Sequence, residues 1–179
     1  MDTRIIYTIG HSTHEISEFI KILKAHAITH LVDIRSIPKS RHNPQFNGEV
    51  LAEALTGAGI GYHRAKDLGG LRPTHKDSGN GAWHNDSFRG YADYMQTEAF
   101  DHAIEDLLTR ANGHSTAIMC AEALPWRCHR SLVGDALLAR GIEVMDIFSA
   151  TKVTAHTMTS FALVEGTTIT YPPTAKNLA

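Results

Sequence analysis

Short apolar runs alternate with amphipathic stretches along this chain. Ile5-Ile6-Tyr7-Thr8-Ile9 reads as a buried strand that ends at Gly10-His11-Ser12. Ile16, Phe19, Ile20 and Leu23 then recur at helical spacing, with Ser12 or Thr13 expected to cap that helix through its hydroxyl. His30 to Ile34 is a second strand, and a short helix from about Gly48 to Thr56 turns Val50, Leu51 and Leu55 inward, with Gly57 ending it. Ile60 to Arg64 forms a third strand. Residues 72–87 are polar and glycine-rich without a period, as in a lid or a flexible loop. Phe88 to Ala111 is mostly helical, as a short helix near Tyr91 to Met95 and a longer one from Glu98. Thr116 to Met119 is the fourth strand, a helix runs from about His129 to Arg140, and Glu143 to Phe148 is the fifth strand. Beyond it, a helix near His156 to Leu163 and a strand from Thr168 to Tyr171 are expected.

Strands and helices alternating at crossover lengths predict an α/β fold. It is a single domain over residues 1–179, with a mostly parallel sheet and helices on both faces, a Rossmann-like three-layer sandwich. The core spans about 5–150, a C-terminal extension 151–171, and a loose tail 172–179. In such sheets ligands bind beyond the carboxyl ends of the strands. Polar residues that are scattered in the sequence should therefore gather on one edge.

Seventeen basic and nineteen acidic side chains nearly cancel, so bulk charge selects neither nucleic acid nor membrane as a partner. No run approaches transmembrane length, which predicts a cytoplasmic protein without membrane contact. In that compartment two cysteines read as thiols, ligands or catalytic groups rather than a disulfide. Oligomeric state stays open.

Both cysteines lie in Cys120-Ala-Glu-Ala-Leu-Pro-Trp-Arg-Cys-His-Arg-Ser131, where a strand gives way to a helix. Cys120 also fits a small apolar residue closing a strand. Cys128, near a helix N-terminus beside Arg127, His129 and Arg130, is the thiol whose pKa the surroundings should lower. Two cysteines with one adjacent histidine do not reproduce a zinc spacing, so no cofactor is expected and a metal is the weaker alternative. A phosphatase- or rhodanese-type anion loop is only a loose analogue, because Pro125 removes an amide donor.

With these pieces assembled, the chain resembles the family called domain of unknown function 488. The resemblance rests on Thr8 to Ser12, Val32 to Arg35 with Pro38 and Ser40, Leu68-Gly69-Gly70, Cys120-Ala121-Glu122 and Cys128-His129-Arg130. It implies one α/β domain with a polar pocket formed by those pieces, and carries no substrate or reaction with it.

Chemistry must come from the residues. Glu122 and Asp33 are candidate acid–base carboxylates, or else ion-pair partners of Arg127, Arg130 and Arg35. His11 and His129, each in a strand-to-helix turn, are candidate proton carriers, with His156 a weaker one. Arg35, Lys39, Arg41, Arg72, Arg127 and Arg130 offer an anion-binding set. Ser12, Gly69 and Gly70 complete the substrate-binding candidates, Ser12 reading as a cap before a nucleophile. Trp83 and Trp126 suit either stacking on a planar ligand or packing in the core. The leading expectation is a hydrolase or transferase acting on a small or nucleic-acid-derived anion, such as a nucleotide or modified base. In it Arg35 and Arg130 hold the anion, Glu122 with Asp33 or His11 moves protons, and Cys128 or Cys120 is nucleophile or substrate contact. The alternatives are a non-catalytic nucleotide or nucleic-acid binding module and a metal-binding or thiol-redox protein.

Overall fold

The computed structural model describes residues 4–173, so most of the expected tail, residues 174–179, lies outside the described residues. Along the chain come β1 (Ile5–Gly10), α1 (Ile16–Ala25), β2 (His30–Asp33), α2 (Gly48–Gly57) and β3 (Gly61–Arg64). They are followed by α3 (Asp86–Tyr94), α4 (Glu98–Ala111), β4 (Thr116–Cys120), α5 (Arg130–Ala139) and β5 (Glu143–Ile147). Three short strands close it: β6 (Val153–Ala155), β7 (Leu163–Glu165) and β8 (Thr168–Thr170).

The main sheet has the order β3-β2-β4-β1-β5-β6. Its first five strands are parallel, and β6 returns antiparallel along β5. β7 and β8 form a separate hairpin that turns at Gly166, φ 64°. Every residue of β4 is buried, as a central strand covered on both faces must be. The expected three-layer α/β domain is therefore the observed fold.

Phe19 and Leu23 of α1 pack with Leu51 and Leu55 of α2 in one cluster. Tyr91 of α3, Ile104 of α4 and Leu132 of α5 belong to the other. Right-handed crossovers account for the split, since the chain leaves β1 and β2 toward one sheet edge and leaves β3 and β4 toward the other. β4 thus lies between two strands whose outgoing connections cross the opposite face. That reversal opens a crevice at the carboxyl ends of β1, β4 and β2.

Local differences from expectation have local causes. α1 begins at Ile16 after Glu15, and Ser12 takes φ 49° in the preceding turn, so neither Ser12 nor Thr13 caps it. α2 runs through Gly57 and unwinds at Gly59, φ 77°, while Val50 faces outward. α3 starts at Asp86, where the Asn85 side chain accepts from the Ser87 and Phe88 amides. The loop before it is tied down by buried Asp93, which accepts from the His75 amide, the Ser78 hydroxyl and the Asn80 amide group. No helix forms over 156–163. The His156 ring and the Thr159 amide are fixed to Asp135, which straps this β-branched segment extended across α5. Among the described residues no helix is long and apolar enough to cross a membrane.

Candidate functional site

A cleft of about 760 Å³ opens at the crevice. His11 follows β1, Arg35 follows β2, Cys120 and Glu122 stand at the end of β4, and Cys128 and His129 precede α5. Two glycines let these segments close on one another. A Cβ on Gly10 would sit 1.7 Å from the Glu122 carbonyl oxygen, and one on Gly70 would sit 2.6 Å from His129 Nδ1.

One wall is a locked charge pair. Buried Arg35 donates from Nε and Nη2 to the two Asp33 oxygens at 2.9 and 2.7 Å, and from Nη2 to the Phe46 carbonyl at 2.7 Å. The Tyr62 hydroxyl donates to Asp33 at 2.6 Å, so this carboxylate orients Arg35 and has no lone pair turned to a substrate. His11 stacks on Phe46 at 4.3 Å. Its Nδ1 lies 2.8 Å from the Ser12 carbonyl, which can only accept, so Nδ1 carries the proton and Nε2 faces Arg35 Nη1 at 3.3 Å. Burial, with Arg35 nearby, lowers the His11 pKa to about 4 and keeps the ring neutral.

The floor is a thiol pair on a buried guanidinium. Arg130, fully enclosed at 0% exposure, donates from Nε to Cys120 Sγ at 3.2 Å and from Nη1 to Thr8 Oγ1 at 2.8 Å. Its Nη2 donates to the Glu122 carbonyl at 2.9 Å. Cys128 Sγ accepts the Arg130 amide at 3.5 Å and lies 3.3 Å from His129 Nδ1. The other ring nitrogen, Nε2, faces the Ile34 carbonyl at 3.0 Å and so carries the proton, leaving Nδ1 as an acceptor beside Cys128. Burial brings the His129 pKa down to about 4. Burial alone would push the Cys120 thiol up, but the neighbouring Cys128 thiol and the Arg130 charge outweigh it and bring it below the ordinary thiol value, to about 7. Cys128 is pushed up by its Cys120 neighbour and by burial. The two thiols therefore titrate as a pair that gives up its first proton easily and holds its second, and the Arg130 Nε donor favours the first negative charge on Cys120. The expectation that Cys128 is the activated thiol is reversed, because the guanidinium beside it in sequence points at Cys120 in space.

Behind Arg130 lies a second polar cluster, sealed from the cleft. Thr8 donates to Asp146, whose other oxygen lies 3.1 Å from His156 Nδ1. His156 Nε2 is 3.0 Å from Asp135 Oδ1, and the Tyr171 hydroxyl donates to Asp135 Oδ2 at 2.8 Å. Burial pulls His156 down, but the two carboxylates override it and lift its pKa to about 9, so the ring is an imidazolium at neutral pH.

Of the candidates, His11, Ser12, Arg35, Cys120, Glu122 and Arg127 reach the cleft lining, as do Cys128, His129, Gly70 and Lys39. Asp33 stands behind Arg35. Arg130 is enclosed and acts on the cleft through the lining residues it holds, Cys120, Cys128 and Glu122, so its assignment as an anion ligand is corrected. Gly69 packs against the Ser36 side chain outside the lining. Arg72 lies over the Tyr94 ring at 3.6 Å and donates to the Asp67 and Gly69 carbonyls, and Arg41 is exposed away from the lining. Glu122 is exposed and forms no ion pair among the described residues, which removes its expected pairing with Arg127 or Arg130. Trp83 packs on Phe88, Phe161 and Tyr171, whereas Trp126 stays exposed. Sequence reasoning gave no role of their own to Thr8, Asp135 and Asp146. Their signal was a polar residue inside an otherwise apolar strand or helix, in Ile5 to Ile9, Leu132 to Leu138 and Glu143 to Ile147.

No group of three or more His, Cys, Asp or Glu side chains disposed to hold a metal ion occurs among the described residues. Against known families, residues 15–137 match the model described as Domain of unknown function DUF488. No curated protein and no solved structure matches the chain.

Proposed function

The chain belongs to the DUF488 family, whose description assigns no reaction, and from the cleft itself we propose an enzyme that transfers or hydrolyses a group on a small anionic substrate through the Cys120 thiolate. The observation that carries this reading is a fully buried arginine donating to a thiol at the floor of the cleft, 3.2 Å away. A guanidinium held there favours the charged, nucleophilic form of sulfur. Cys128 and the neutral His129 form the path by which the thiol proton leaves, toward Nδ1. Lys39, Arg127 and Arg35 on the lining supply the positive field that draws an anion in. Glu122, the lining carboxylate, exchanges protons with the substrate at the mouth.

The test is a pH titration of thiolate ultraviolet absorbance in the folded protein, with inorganic phosphate protection against iodoacetamide measured alongside. One thiolate should appear near pH 7, vanish in Cys120→Ser, and move up by about one to two units in Arg130→Met. Phosphate should slow Cys120 alkylation. Absence of any thiolate below about pH 8.5, together with no protection by phosphate, overturns the reading. Once a substrate is found, Cys120→Ser should bind it without turnover, whereas a purely binding module would show no turnover in either form.

A further inference from the structure

We propose that Thr8 is a positioning residue for the cleft: its hydroxyl fixes the plane of Arg130 and keeps the Asp146 carboxylate one hydroxyl away, so that the guanidinium serves Cys120. The inference rests on the Cys120 reading above and assigns what sets that nucleophile. Arg130 is fully enclosed, and its acceptors are the Cys120 thiol, the Thr8 hydroxyl and the Glu122 and Ala123 carbonyls. Among the described residues no carboxylate lies within ion-pair distance of it. That is unusual, because a buried charge ordinarily has an opposite charge against it. Arg35 follows the rule, with both Asp33 oxygens bonded to it at 2.9 and 2.7 Å. Arg130 does not.

Thr8 accounts for the difference. It is buried on β1, in register with Asp146 on the neighbouring β5. Burial works against ionisation of Asp146, but hydrogen bonds from His156 and Thr8 outweigh it and hold the carboxyl below its usual range. An ionised carboxylate only accepts, so the single hydroxyl hydrogen of Thr8 goes to Asp146 Oδ1, 2.5 Å away. The lone pairs of Thr8 Oγ1 are left for Arg130 Nη1 at 2.8 Å. A β-branched side chain has restricted χ1, which makes this oxygen a fixed point. With Nη1 held there and Nη2 held by the Glu122 carbonyl at 2.9 Å, Nε is aimed at Cys120 Sγ, 3.2 Å away. A carboxylate bonded straight to Arg130 would compete with sulfur for its charge. A hydroxyl in that place orients the guanidinium and leaves the charge to the thiolate. The closed cluster keeps the oxygen in place, since His156 bridges Asp146 to Asp135.

Thr8→Val and Thr8→Ser are compared with the native chain by thiolate ultraviolet absorbance and by the rate of iodoacetamide alkylation at Cys120, with and without inorganic phosphate. Thr8→Val keeps the shape and loses the hydroxyl. It should raise the thiolate midpoint by about half a unit to one unit and slow alkylation at neutral pH about threefold or more. Thr8→Ser should restore both to native values. The protection given by phosphate should be the same in all three, because Lys39 and Arg127 on the lining are untouched. Thr116→Val is the control: Thr116 is buried in β4 and its Oγ1 has no hydrogen-bond partner, so the midpoint should stay put. An unmoved midpoint in Thr8→Val, an equal shift in Thr116→Val, or Thr8→Ser behaving like Thr8→Val overturns the proposal. Thr8→Ala replaces Thr8→Val if that chain does not fold. If neither folds while Thr8→Ser does, the hydroxyl serves the fold alone and the proposal falls. A native thiolate near pH 7 that Thr8→Val leaves unmoved removes this inference only. No native thiolate below about pH 8.5, with no protection by phosphate, removes the proposed function and this inference with it.

Discussion

Arg130 stands between two buried polar clusters built from the same kinds of side chain. On one side are Cys120, Cys128 and His129, which touch the cleft. On the other are Thr8, Asp146, His156, Asp135 and Tyr171, closed off from it. In the closed cluster each imidazole nitrogen faces a carboxylate, and each carboxylate also accepts a hydroxyl. In the open cluster His129 Nδ1 has only a thiol opposite it, and Cys120 Sγ takes a single side-chain donor, Arg130 Nε. Satisfied charges hold a structure together, and unsatisfied ones are available for chemistry. Residue type does not distinguish the two regions; saturation of hydrogen-bonding capacity does.

Breaking the closed cluster should have the largest effect. Asp135→Ala removes a partner of a buried imidazolium and leaves the Tyr171 hydroxyl and the Thr159 amide unpaired. The expected loss is about 3–5 kcal/mol in urea unfolding. Cys120→Ser removes a group from the open cluster, and its loss should stay near 1 kcal/mol. Equal losses would erase the contrast between the two regions.

The same contrast predicts opposite responses to pH. His11 and His129 have pKa values lowered to about 4 in the fold, so the unfolded chain binds more protons between about 4 and 6.5. Stability in that window therefore rises with pH. His156 is raised to about 9, so its stabilisation is complete below 6.5 and is lost as pH rises through 9. Cys120, lowered from 9.0 to about 7, works against that loss between those values. Denaturation midpoints of Cys120→Ser across pH 4 to 10 should therefore peak near the ordinary histidine value, with a steeper alkaline fall than in the native chain. An alkaline fall that persists in Cys120→Ser/His156→Gln would assign it to groups other than His156.

The layered fold was legible because apolar runs of strand length alternate with helical periods, and both signals are local. The carboxyl edge followed from topology, so the loops after β1, β2 and β4 could be placed together before any distance was known. Two things were not legible. One was which thiol Arg130 serves, because its proximity to Cys128 in sequence is backbone proximity, while its side chain turns across the sheet edge to the end of β4. The other was the strap over 156–163, where contacts to Asp135 and Asp146 override a weak helical pattern. Thr8 and Asp146 could have been flagged, since a polar side chain within a central strand must find a partner.

The smallest expected effect belongs to Glu122 and tests whether the open region behaves as a field or as a set of pairs. Glu122 is exposed, lines the cleft and forms no ion pair among the described residues. Glu122→Gln should therefore shift stability by no more than about 0.5 kcal/mol. Its negative charge opposes the pull of Lys39 and Arg127 on an anion. Removing it should tighten inorganic phosphate protection of Cys120 by about two- to threefold at low salt, and the gain should fade as ionic strength rises past about 0.15 M. A gain that survives high salt would mean a direct contact rather than a field. No gain at all would place the anion beyond the reach of Glu122, and proton exchange with the substrate would then have to run through Cys128 and His129 alone.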